Sequence, residues 1–389
     1  MKKVLLYILL GFFPSTLFAQ QQEECGTTRS AEDEAAIGNF ISEYRSGQLA
    51  IQRDYGDSMV PVKFHIVATS TGTGGIDSAD VFNELDSINS HYKAAGIVFY
   101  HCDNIDYINS NEYVNFEKIV SETLCDSLDL ANVINIYFVP LLYKINSSGS
   151  TVNLCGYAYT SGSKNRVLMK NSCSTNGSTL AHELGHYFSL PHTHSTGAGD
   201  ELADGSNCGF AGDLFCDTPA DPTLSNSVVS SVACLYTGTE TDANGDLYTP
   251  ETKNVMSYSR KSCRNQFSAE QLAQMQAYLV SYRNYLHCPS TVVIPNRIDA
   301  STGNPLQFSI SPNPSFGQFI IRYQLPQLIE VITITVVDEL GRVISKKEIV
   351  PQTTSGNYFL NDLQLAQGVY FIKLESGSET QIEKVLIVN

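Results

Sequence analysis

Three imidazoles and a carboxylate crowd the stretch Ala181-His182-Glu183-Leu184-Gly185-His186-Tyr187-Phe188-Ser189-Leu190-Pro191-His192. On a helix, His182 and His186 lie one turn apart on one face and can share a tetrahedral zinc ion. Glu183 sits a fraction of a turn round from them, able to reach a water on that ion without displacing it. Pro191 ends the helix, and His192 can then return as a third protein ligand, leaving the fourth position open. Hydrolysis needs that open position. Zinc acidifies the bound water and polarises a peptide carbonyl, while Glu183, as general base, takes the water's proton and passes it to the leaving amine. His194 is the rival third ligand, but the spacing favours His192. The bland alternative is a set of core histidines on an ordinary helix. With only eight histidines in the chain, this spacing arises rarely by chance.

The elements that must position these groups are legible on either side. Residues 62–67 alternate and are β-branched, as a strand requires, and a Gly-rich turn follows at 72–75. Asp77 or Ser78 opens a helix with Val81, Leu85, Ile88 and Tyr92 at helical spacing and Gly96 past its end. Its apolar stripe needs a sheet, supplied by strands at 97–100, 133–139, 154–159 and 167–169. Ser178 is placed to cap the histidine helix. A loop-rich stretch at 197–250 has too few apolar residues to order itself and calls for disulfides or ions, with Cys208, Cys216, Cys234 and Cys263 in or near it. Ser268 and Gln271 form a capping box for a helix running to about His287. The fold class is α+β: an α/β-type half-domain of strands and helices with the histidine helix and the closing helix from Ser268, then a small all-β sandwich.

With 389 residues, more than one domain is expected. Met1-Lys2-Lys3 followed by an apolar run to Phe13 and small residues near Ala19 reads as a cleaved signal peptide over 1–19. The run is too short to span a bilayer, and no later stretch could, so no transmembrane segment remains after cleavage. Residues 20–60 are polar with a weak apolar pattern and read as a pro-segment. The catalytic domain is assigned to 61–288, a linker to 289–306 and the β-sandwich to 307–389. Asp and Glu total 40 against 24 Lys and Arg, a net charge of -16 that argues against nucleic acid as a partner. Ten cysteines behind an export signal are expected to pair as disulfides.

The histidine segment resembles the metzincin signature, and within that clan the pappalysin family of secreted metalloproteases. Gly212-Asp213-Leu214-Phe215-Cys216-Asp217-Thr218-Pro219 resembles the element that follows the zinc helix in that family. Asn254-Val255-Met256-Ser257-Tyr258-Ser259, then Cys263 and Gln266-Phe267-Ser268, resembles its Met-turn and the start of its closing helix. The resemblance implies a metzincin-type zincin domain and a secreted zinc endopeptidase acting on extracellular proteins or peptides. It also implies Met256 as a floor beneath the zinc and Tyr258 as an oxyanion donor or mobile ligand. The signature's glycine is Ser189 here, which can still turn at positive φ at about 1 kcal/mol.

Cys25-Gly26-Thr27 resembles the cysteine-bearing pro-segments of bacterial pappalysin relatives. Cys25 either fills the fourth zinc position, keeping a latent precursor silent, or forms half of a disulfide, since ten cysteines pair completely. Structural calcium is the second metal expectation, from Asp242, Asn244 and Asp246 around Gly245, with Asp213, Asp217 and Asp221 as further candidates and solvated turns as the alternative. Arg260 and Lys261 are read either as the wall of the pocket beyond the scissile bond or as an exposed basic pair. From Ser311-Pro312-Asn313-Pro314 through Gly341-Arg342 and Gly368-Val369-Tyr370, the C-terminal module is similar to the sorting domains of type IX secretion substrates. That implies the secretion machinery as partner and a product released or held at the cell surface. The alternative function is a surface adhesion or binding protein with a structural zinc site, but such a site normally has four protein ligands.

Overall fold

The computed structural model describes residues 24–47, 58–160, 164–288, 293–295 and 307–387, the last apart from positions 312, 314, 316, 318, 326–330, 352, 361–362, 364 and 378. The expected signal peptide lies outside the described residues, as does the expected linker except 293–295.

Strand β1 (Glu24–Cys25) and helix α1 (Ala31–Arg45) come from the stretch that reads as polar. Ser30 and Asp33 build a full capping box, Glu32 and Glu34 add acid to the first turn, and Ile37, Phe40 and Ile41 are buried. Strand β2 (Ser58–Ala68) starts before the assigned domain boundary at 60. Helix α2 (Ser78–Tyr92), capped by Asp77, buries Val81, Leu85, Ile88 and Tyr92 as its spacing predicts. Gly96 follows in the left-handed region, φ 65°.

The sheet continues through β3 (Ile97–His101), β4 (Asp106–Asn109), β5 (Asn115–Glu117), helix α3 (Thr123–Leu128), β6 (Ile134–Val139), β7 (Leu141–Ile145), β8 (Thr151–Ala158) and β9 (Arg166–Lys170). The strand order is β3-β2-β6-β9-β8-β7-β5, with β4 on β2 and β1 on β8. From β3 to β9 the pairing is parallel, and β8 runs antiparallel to both β9 and β7. Short helix α4 (Asn171–Ser174), the histidine helix α5 (Thr179–Tyr187) and α6 (Ala269–Tyr282) complete the unit. Helices α1, α2, α5 and α6 share one core with one face of the sheet, including Phe64, Phe138, Met169, Leu184, Met256 and Met275. Helix α6 has the expected Ser268–Gln271 capping box but ends at Tyr282, short of His287.

Residues 197–250 contain only isolated bridges, Val229 to Tyr236 and Thr241 to Leu247. Disulfides Cys208–Cys216 and Cys234–Cys263 order the loop as its composition requires. Cys102–Cys288 and Cys155–Cys173 tie the ends of the domain and β8 to α4. Cys25 and Cys125 stay free, so the cysteines do not pair completely. Among the described residues, no helix is long and apolar enough to cross a membrane.

The C-terminal strands are β10 (Val293–Pro295), β11 (Gln307–Ser311), β12 (Phe319–Gln324), β13 (Ile332–Asp338), β14 (Val343–Ile349), β15 (Ser355–Leu360), β16 (Gly368–Ser376) and β17 (Glu379–Ile387). They form two four-stranded antiparallel sheets, β10-β15-β12-β11 and β14-β13-β16-β17. One core joins them, with Phe319 and Ile321 from the first sheet and Ile334, Val336 and Ile372 from the second. Strand β10 falls within the assigned linker and belongs to the sandwich.

Candidate active site

Helix α5 begins with no side-chain cap from Ser178. Asn176 does that work instead: its Oδ1 accepts the N–H of Ser178 at 3.1 Å and of Thr179 at 2.9 Å. Ser178 Oγ donates to Asn176 Oδ1 and to the Lys261 carbonyl. Past the helix, Ser189 stands at φ 75°, its N–H bonded to the His186 carbonyl at 2.9 Å, and Leu190 N–H bonds back to Gly185 O at 2.9 Å. The turn therefore forms with serine in the left-handed position and delivers His192.

His182 Nδ1 lies 2.7 Å from Val255 O and His186 Nδ1 lies 2.8 Å from Leu190 O. A carbonyl can only accept, so both rings carry hydrogen on Nδ1 and present bare Nε2 lone pairs. His192 Nε2 stands 3.2 Å from His182 Nε2 and 2.9 Å from His186 Nε2. Cys25, His182, His186 and His192 each offer an atom within 4.8 Å of the others, and among the described residues this is the one such grouping. Burial and mutual repulsion hold His182 and His192 well below the usual imidazole range, and burial takes His186 down to about 3. Neutral imidazoles and a thiol are the soft, deprotonatable set that zinc prefers. Tetrahedral bonds of 2.0 to 2.1 Å would separate neighbouring ligands by about 3.3 Å, so the donor set fits. His194 stays outside the cluster, stacked on His192 at 4.8 Å, and burial lowers it to about 4.

Glu183 is fully buried. Its Oε2 accepts from Thr27 Oγ1 at 3.0 Å and from Cys25 Sγ at 3.4 Å, while Oε1 has no partner among the described residues. Burial raises its pKa to about 7 against those hydrogen bonds. A Cβ on Gly156 would come within 2.9 Å of Glu183 Cγ, so only glycine fits beneath this carboxylate. The Tyr258 ring centroid lies 4.8 Å from that of His192 and 4.3 Å from that of His194.

Met256 sits under the helix, placed by Asn254 Oδ1, which accepts its N–H at 2.8 Å; Asn254 Nδ2 in turn donates to Gln271 of α6. A Cβ on Gly185 would fall 2.4 Å from Met256 Sδ. Gly185→Ala is therefore expected to cost about 1–3 kcal/mol of stability through overpacking, read as a lower urea midpoint. An unchanged midpoint would mean that Met256 swings aside freely.

The pro-segment residues that hold Cys25 in place were not readable from sequence. Strand β1 pairs parallel with β8, Cys25 opposite Gly156. Thr27 Oγ1 also accepts from Ala158 N–H, and Arg29 donates to the Ser189 and Leu190 carbonyls, the latter being the acceptor that orients His186. These contacts span more than 120 residues of chain, and no local signal announces them. Arg260 does not simply point to solvent: its guanidinium donates to the Val229 and Asn226 carbonyls, stapling the loop. The acidic candidates mostly brace backbone, Asp213 accepting from Phe215 N–H, Asp217 from Glu270 N–H, and Asp242 from Ala203, Asn244 and Asp246 N–H. Asp221 accepts from Thr193 Oγ1, next to His192.

A mixed sheet over a histidine helix, closed by a buried methionine turn and α6, is a metzincin-type domain. Residues 143–280 match the family described as pregnancy-associated plasma protein-A, and residues 309–389 match the secretion system C-terminal sorting domain. The chain thus carries a pappalysin-type metalloprotease domain and is a secreted protein with a C-terminal sorting domain. It is similar to an extracellular metalloprotease of Sordaria macrospora, 28% identical over 278 residues, which cover 67% of this chain and 88% of that protein. An extracellular metalloprotease of Podospora anserina is 27% identical over 261 residues, covering 62% and 80%. Among solved structures, promirolysin of Tannerella forsythia aligns with TM-score 0.48 and 17% identity over 68% of this chain and 97% of that one.

Proposed function

We propose that the chain is a zinc endopeptidase made as a latent precursor, with His182, His186 and His192 as zinc ligands, Glu183 as general base and Tyr258 as oxyanion donor. The observation that carries this reading is the convergence of three Nε2 atoms, two of them left bare by Nδ1–H bonds to backbone carbonyls, beside a buried carboxylate. Zinc held there supplies Lewis acidity to a water and to the peptide carbonyl.

The chain's own residues do the rest. Glu183, whose affinity for a proton is raised by burial, accepts the water's proton and returns it to the leaving nitrogen. Gly156, by lacking a Cβ, lets that carboxylate lie close against β8. Tyr258, with its ring against His192, is the donor for charge developing on the carbonyl oxygen. In the precursor, Cys25 occupies the fourth ligand position and β1 covers the edge of β8, so neither water nor substrate has access. The secretion machinery takes the sandwich as its address, and proteins outside the cell are the substrates.

The test is cleavage-site profiling of a proteome-derived peptide library digested with protein freed of its N-terminal segment. Cuts are expected with zinc loaded, lost on chelation and restored by zinc. Cuts that survive chelation would remove the metal mechanism. No cuts with zinc loaded would favour an adhesion or binding protein.

A further inference from the structure

Lys118 directly follows β5, and its N–H pairs with Tyr143 O at 2.8 Å, which anchors it on the sheet beyond β7. Its ammonium lies 2.6 Å from Gly26 O, 3.2 Å from Thr28 Oγ1 and 4.9 Å from the Tyr157 ring centroid. Gly26 follows Cys25 and donates its own N–H to Gly156 O at 2.7 Å. Lys118 thus grips the chain lying on the β8 edge within one to three residues of the thiol that sits among the imidazoles.

That cation is under-compensated. It is half-buried, and among the described residues no carboxylate lies within ion-pair distance. Burial and the neighbouring Lys144 work against its charge and outweigh the more distant support of Cys25, Glu122 and Glu183. Lys144, on β7, is a second cation near Lys118 in a chain whose net charge is -16. A backbone carbonyl and a hydroxyl are weaker partners for an ammonium than a carboxylate. Both belong to a segment that must leave before the cleft can work.

We propose that in the activated enzyme Lys118 is a specificity-determining residue that takes an Asp or Glu side chain of the substrate where Thr28 lies in the precursor. This rests on the endopeptidase reading above. Thr28 is three residues from Cys25, so the acidic preference falls within three positions of the cleaved bond, on one side of it.

The experiment is the same library digest, run with protein freed of its N-terminal segment, for the parent, Lys118→Gln and Lys118→Glu. The parent is expected to enrich Asp and Glu at one position in that window. Lys118→Gln abolishes the enrichment and Lys118→Glu turns it toward Lys and Arg. On two peptides that differ only by Glu or Gln at that position, Lys118→Gln raises KM for the Glu peptide about tenfold or more and leaves the Gln peptide and both kcat values alone. Normal cleavage of the Gln peptide also shows that the variant is folded. A parent that cuts without acidic preference, or a Lys118→Gln logo identical to the parent's, overturns the proposal and leaves Lys118 as a pro-segment contact. A parent that cuts nothing with zinc loaded instead overturns the endopeptidase reading beneath it.

Discussion

Glu183→Gln is expected to lower peptide hydrolysis by about 10²- to 10⁴-fold while zinc content and folding stay at the parent's level. The carboxylate is fully buried, and its Oε1 has no partner among the described residues. Burial is the largest influence on it and favours the protonated form. A neutral isostere therefore fits the space above Gly156 without stranding a charge, and the change isolates proton transfer from packing. The measurement pairs steady-state cleavage of a quenched peptide by protein freed of its N-terminal segment with metal analysis and a thermal scan. Activity within a factor of ten of the parent would require another base. A lost metal or a collapsed transition would instead assign Glu183 a structural role.

Cys25→Ala is expected to release latency in part, the intact precursor cleaving peptide at least about tenfold faster than the intact parent precursor. The thiol is unpaired and lies within ligand distance of the three imidazoles. Burial and the Glu183 charge push its pKa well up, so it stays protonated there unless a cation draws the proton off. Zinc held by the three imidazoles would do so, because coordination deprotonates a thiol. Alanine removes that ligand together with the thiol's hydrogen bonds to Glu183 and from Thr27 N–H, and leaves the backbone pairing of β1 on β8. Release stays partial because Thr27 still bonds Glu183, Arg29 still bonds the Leu190 carbonyl, and α1 still buries Ile37, Phe40 and Ile41. Activity is read on precursor shown by mass to be uncut. A variant as silent as the parent would place latency in the β1 pairing and Arg29 rather than in the thiol.

The sequence by itself determined whatever depends on neighbours along the chain. Helix α2 follows from its apolar spacing and Asp77, α6 from the Ser268–Gln271 box, and the approach of His182, His186 and His192 from a single helix turn and the break after it. The need to staple the loop at 197–250 was likewise visible in its composition. Tertiary structure decided the rest. Helix α1 hides three apolar residues in a polar stretch, because packing on α6 rather than periodicity stabilises it. Ten cysteines are compatible with complete pairing, and only the folded chain leaves Cys25 beside the imidazoles and Cys125 buried alone. The fit of Gly156 under Glu183, the grip of Lys118 on Gly26 and the capture of Leu190 O by Arg29 join residues between 27 and 161 positions apart. Such contacts carry no periodic signature, since strand pairing, not local conformation, brings them together.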